Sequence, residues 1–71
     1  LLGRNFTLDF PYPQRKTVQH LLEQNRGRTT SEEYGADISW SIWLPHSTWQ
    51  SFVTALTEAT AGELRPLSID D

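Results

Sequence analysis

The sequence predicts an α+β domain whose elements run strand, helix, strand, strand, helix, strand. Three observations predict it. Residues 5–10 and 37–44 alternate apolar and polar side chains, the period of a half-buried strand. The stretches after Pro13 and Ser47 place apolar residues three and four apart, the period of one helical face. Proline or glycine punctuates the joins, at Pro11, Gly27, Gly35, Pro45 and Gly62.

In the first strand, Phe6, Leu8 and Phe10 share one face and Asn5, Thr7 and Asp9 the other. Pro11-Tyr12-Pro13 ends it, and Pro13 suits the first turn of a helix, where a missing N–H costs nothing. Val18, Leu21, Leu22 and Asn25 then mark the helix's inward stripe. Gly27 stands where a helix closes on a left-handed residue. Residues 28–34 are polar with adjacent threonines and read as an edge strand. Gly35 marks a tight turn into the clearest strand of the chain. There Ile38, Trp40, Ile42 and Leu44 face inward and Ser39, Ser41 and Trp43 outward, until Pro45 stops it.

Ser47 followed three residues later by Gln50 predicts a capping box for the second helix. Its apolar stripe is Trp49, Phe52, Val53 and Leu56, and Gly62 closes it. Residues 63–69 form the expected last strand, with Leu67 and Ile69 inward and Pro66 tolerable only at an edge. Both strand–helix–strand crossovers should be right-handed, which puts the helices on one side of a four-stranded antiparallel sheet. The expected architecture is a ferredoxin-like sandwich over residues 1–71, with its second sheet face open.

Size and charge restrict the possible functions. A 71-residue chain without cysteine has no disulfide or thiolate metal site to staple it. Three tryptophans, three phenylalanines and two tyrosines provide large groups for packing. No apolar run can span a bilayer, and a start at Leu1 without a signal-like leader suggests a cytoplasmic domain of a longer protein. The net charge of −3 opposes simple phosphate-driven binding. Residues 1–30, however, hold five cationic side chains against two carboxylates, and residues 31–71 one against seven.

Convergent reactive groups are missing. His20 and His46 have no partner at metal-ligand spacing. Glu32 and Glu33 are adjacent on a strand and point to opposite faces. Asp70 and Asp71 read as a frayed terminus. No glycine-rich loop opens a helix, because Arg26-Gly27-Arg28 follows one. The expectation is a domain that is not an enzyme and carries neither metal nor cofactor.

Binding is what remains. The open face should show Asn5, Thr7, Asp9, Ser39, Ser41 and Trp43. A lone tryptophan flanked by Asp and Ser, without the signature of the RNA-recognition sheet, favours packing against another domain or protein over stacking bases across the sheet. Arg26 and Arg28 flank a turn, and Arg15 with Lys16 lies about 15 Å away along the first helix. Trp43, Arg15, Lys16, Arg26 and Arg28 are the candidate binding residues.

Tyr12-Pro13-Gln14, Val18-Gln19-His20-Leu21-Leu22, Gly27, Tyr34, the alternation from Ile38 to Leu44 with Pro45, and Phe52 with Leu56 form a recognisable string. It resembles the C-terminal domain of the bacterial YigZ-like branch of the IMPACT family, from about Phe6 to Ile69. The resemblance implies a two-domain parent with an N-terminal α/β domain as neighbour. It also implies a ferredoxin-like fold similar to domains of elongation factor G, hence a link to RNA or the ribosome. Eukaryotic members regulate translation through a protein partner. The leading expectation is an accessory domain that assists nucleic-acid or translation-related binding. The alternatives are an interaction module for another domain, protein or second copy, and a small-molecule regulatory domain.

Overall fold

The structure is a computed structural model and describes residues 2–69; the terminal Asp70 and Asp71 lie outside the described residues. Strand β1 (Gly3–Phe10) leads through a 3-10 turn (Tyr12–Gln14) into α1 (Arg15–Gln24). Strands β2 (Arg28–Tyr34) and β3 (Ile38–Pro45) follow, then α2 (Trp49–Ala59) and β4 (Leu67–Ser68). The sheet order is β2-β3-β1-β4 and every pairing is antiparallel. This is the ferredoxin-like arrangement, with β2 at one edge as its polar sequence requires and β4 at the other.

The two strand periods meet in register. Phe6 pairs with Ile42, Leu8 with Trp40 and Phe10 with Ile38, so the even-numbered residues of both central strands share a face. That face is buried, together with Val18 and Leu22 of α1 and Phe52 and Leu56 of α2. Phe10 meets Trp40 edge-on at 5.0 Å between ring centroids, a geometry that aromatic quadrupoles favour. Burying each large apolar side chain contributes about 1.5–3 kcal/mol, and this single layer is the core.

Three local expectations are corrected. The left-handed residue that closes α1 is Arg26, with φ 61°, and not Gly27. Gly27 is needed for close approach instead, since a Cβ there would lie 2.3 Å from Leu22 Cδ1 and 2.8 Å from Leu44 Cδ2. Next, α2 is capped from Thr48 and not Ser47, and no side-chain capping bond forms. The Thr48 hydroxyl donates instead to the Asn25 carbonyl at 2.6 Å, tying the β3–α2 turn to the end of α1.

The third correction concerns the last strand. Only Leu67 and Ser68 form β4, and Leu67 and Ile69 are 65% and 56% exposed rather than inward. Leu64 takes the core position in their place. Buried Thr60 sets this up: its hydroxyl donates to the Leu56 carbonyl and accepts from the Leu64 N–H. Pro66 has no N–H for a ladder, so pairing begins only after it. Leu67 then lies opposite Thr7, and that register turns it to the open face.

Candidate functional site

Three chain segments converge at one end of the sheet. The start of β1 meets the end of β3 through a hydrogen bond from the His46 N–H to the Leu2 carbonyl, 2.9 Å long. The α1–β2 turn joins them through the Thr48–Asn25 bond. Between these segments lies a concavity of about 370 Å³. Leu2, Trp43 and Pro45 form its apolar wall, Ser47 and Thr48 its hydroxyl rim, and Arg26 and Arg28 its charge.

Trp43 is the centre of this site. It pairs with Asn5 on one side and Arg28 on the other, so both neighbours share its open face. The indole lies on the Gly3 backbone, where an added Cβ would fall 2.2 Å from Cε2. Only glycine at this position leaves room for the ring. Over the ring stands the Arg28 guanidinium, its central carbon 5.9 Å from the centroid. Arg26 reaches the same concavity from the left-handed turn after α1. A non-glycine residue there costs about 1–2 kcal/mol of backbone energy. Among the described residues, two arginines and no carboxylate line the concavity, in a chain whose net charge is −3.

The candidate residues therefore separate. Trp43, Arg26 and Arg28 come together. Arg15 and Lys16 do not join them, because the length of α1 lies between. Lys16 is exposed and lines neither concavity described here. Arg15 borders a second groove of about 250 Å³ between α1 and β2, and its guanidinium donates to Gln19 Oε1 at 3.2 Å. In that groove the Tyr34 hydroxyl donates to Glu32, and the carboxylate raises the phenol's pKa above its ordinary 10.0.

The sequence pattern did not anticipate the role of Gly3 or the apolar additions to the open face. Leu67 and Ile69, both exposed, extend that face beyond Trp43. Glu32 and Glu33 stand opposite Trp40 and Ser39, on opposite faces as their adjacency requires. Both histidines are exposed, and no cluster of three metal-ligating side chains occurs among the described residues. No helix among them is long and apolar enough to cross a membrane.

Fold and site together define a small α+β domain with a concavity at the end of its sheet. The chain belongs to the family described as Domain of unknown function (DUF1949), whose model matches residues 8–63. A solved structure described as "Crystal structure of an hypothetical protein" is 26% identical, with a TM-score of 0.90 over 97% of this chain. The chain spans 34% of the length of that protein. Comparison with the curated proteins found no match.

Proposed function

We propose that this chain is a non-catalytic accessory domain of a cytoplasmic, YigZ-like protein of the IMPACT family, and that it contributes to nucleic-acid binding in support of translation-related work. One observation carries the reading: Trp43, Arg26 and Arg28 share a concavity that, among the described residues, no carboxylate lines. Phosphate needs cationic donors, and a base needs a planar apolar surface. An acidic chain that gathers both at one site has there the local electrostatics that its net charge conceals.

Salt dependence tests it. Two phosphates neutralised by Arg26 and Arg28 give a slope of about −1.4 for log affinity against log salt on a single strand. The double variant Arg26→Gln/Arg28→Gln should flatten that slope towards zero, measured by fluorescence anisotropy with short RNA. An unchanged slope would remove these residues from the interface.

A second reading has its own observation. Leu67 and Ile69 leave an exposed apolar strip on the open sheet face, beyond Trp43. Contiguous apolar surface of this kind marks docking sites. Docking with a neighbouring domain of the parent protein would use this strip and leave the arginine concavity free, so the two readings are compatible.

A further inference from the structure

We infer that the concavity accepts one unpaired nucleotide of a single strand, with its base held between the Trp43 indole and the Arg28 guanidinium and its phosphate beside Arg26. This rests on the nucleic-acid reading and specifies what form of nucleic acid the site takes.

The spacing carries the inference. A guanidinium stacked directly on an indole would sit at carbon contact distance, about 3.5–4 Å. The Arg28 guanidinium carbon lies 5.9 Å from the Trp43 ring centroid, at the outer limit of a cation–π contact. A base between the two needs two stacking intervals of about 3.4 Å, close to 7 Å in all. A base entering between them displaces only this loose contact. Arg28 is an exposed side chain on an edge strand, and opening the gap requires no movement of the fold.

The ring itself is held in place. Gly3 lies against its Nε1, Cε2 and Cζ2 atoms, which fixes that part of the indole on the backbone. The two turns that frame the opening are joined by the Thr48–Asn25 hydrogen bond. A volume of about 370 Å³ falls at the small end of ligand pockets and suits a single nucleotide unit. Base-paired nucleic acid cannot use such a slot, because its bases are stacked on one another and offer only their edges. Arg26 supplies the second cation. Its left-handed backbone aims it from the α1–β2 turn into the same space, where the phosphate of a sandwiched base would lie.

The test is an NMR titration of the full chain, at low salt, with a short oligouridine and with a duplex RNA of the same length. The single strand should shift the Trp43 indole N–H resonance upfield and bind more tightly than the duplex. Trp40 and Trp49, on the helix-covered face, serve as internal references and should not move. Trp43→Leu should weaken single-strand binding about tenfold and Trp43→Phe much less, since stacking needs only a ring face. Melting temperatures near that of the unmodified chain confirm that both variants fold. Equal affinity for duplex and single strand, unaltered by Trp43→Leu, would overturn the sandwich while leaving phosphate contact intact. Absence of any binding at low salt would overturn both readings. Uridine monophosphate binding as tightly as the oligomer would overturn the strand and assign the slot to a free nucleotide.

Discussion

Helices α1 and α2 end in the same backbone turn, and the two ends serve different purposes. Each closes with a left-handed residue that is not glycine, Arg26 or Ala61, followed by a glycine. In each, the glycine N–H donates to the carbonyl five residues back, Gly27 to Leu22 and Gly62 to Thr57. At α2 the glycine itself is left-handed, with φ 82°, and has open space around it. At α1 the glycine is pressed between two core leucines, and the left-handed neighbour projects a cation into the concavity. One hydrogen-bond pattern thus needs glycine for its backbone at one end and for its missing side chain at the other.

Substitutions can pull these two requirements apart. Gly27→Ala should cost about 1–3 kcal/mol, because the new methyl overpacks against Leu22 and Leu44. Gly62→Ala should cost about 1–2 kcal/mol, all of it backbone strain. Chemical denaturation checks the order. If Gly62→Ala proved the more damaging of the two, the packing account of Gly27 would be wrong. Leu22→Ala itself costs about 2–5 kcal/mol, but in that background the added cost of Gly27→Ala should shrink while that of Gly62→Ala stays the same.

Arg26 sharpens the contrast further. Arg26→Gly should raise stability by about 1 kcal/mol, since glycine adopts the left-handed region without penalty. The same change should weaken RNA binding and reduce the salt slope by about 0.7. A variant that gains stability and loses affinity would identify a residue kept for its charge. A variant that loses both would make Arg26 a structural cation at the negative end of α1, where helix dipoles favour positive charge.

The smallest expected effect lies in the other groove. The Glu32 carboxylate raises the Tyr34 pKa above 10.0 by accepting its hydrogen bond. The neutral phenol is therefore favoured in the folded chain. That contribution to stability is complete below the ordinary value of 10.0 and disappears as pH rises through the elevated one. Glu32→Gln should bring the titration back towards 10.0, read from tyrosinate absorbance. Melting temperature at neutral pH should barely change, because both groups face solvent.

Much of the fold was legible because its signals are local. Strand β3 alternates from Ile38 to Leu44 with Trp43 the one apolar residue on the outward face, its burial alternates throughout, and a period of two is satisfied by a sheet with one buried face. The apolar stripes of both helices are equally plain, and Val18, Leu22, Phe52 and Leu56 are all buried as their spacing demands. Residues 63–69 misled because their pattern is short and Pro66 interrupts it. Leu64, not Leu67, had room beneath α2, and Thr60 directed it there by two hydrogen bonds. The Ser47–Gln50 pair misled for a related reason. A cap is a local motif, but Thr48 found a stronger partner in the carbonyl of Asn25, 23 positions away.

Residue order by itself determined the element succession, the inward faces of β1 and β3, the two helical stripes and the lack of a staple. All of these follow from side-chain periodicity and composition, which act between near neighbours. Tertiary structure alone decided which cations line the concavity. Arg15, Lys16, Arg26 and Arg28 are equivalent as charges in a string, yet the length of α1 separates the first pair from Trp43 and antiparallel pairing brings Arg28 beside it. The same pairing laid the indole on Gly3, a contact between residues 40 positions apart that no local pattern encodes.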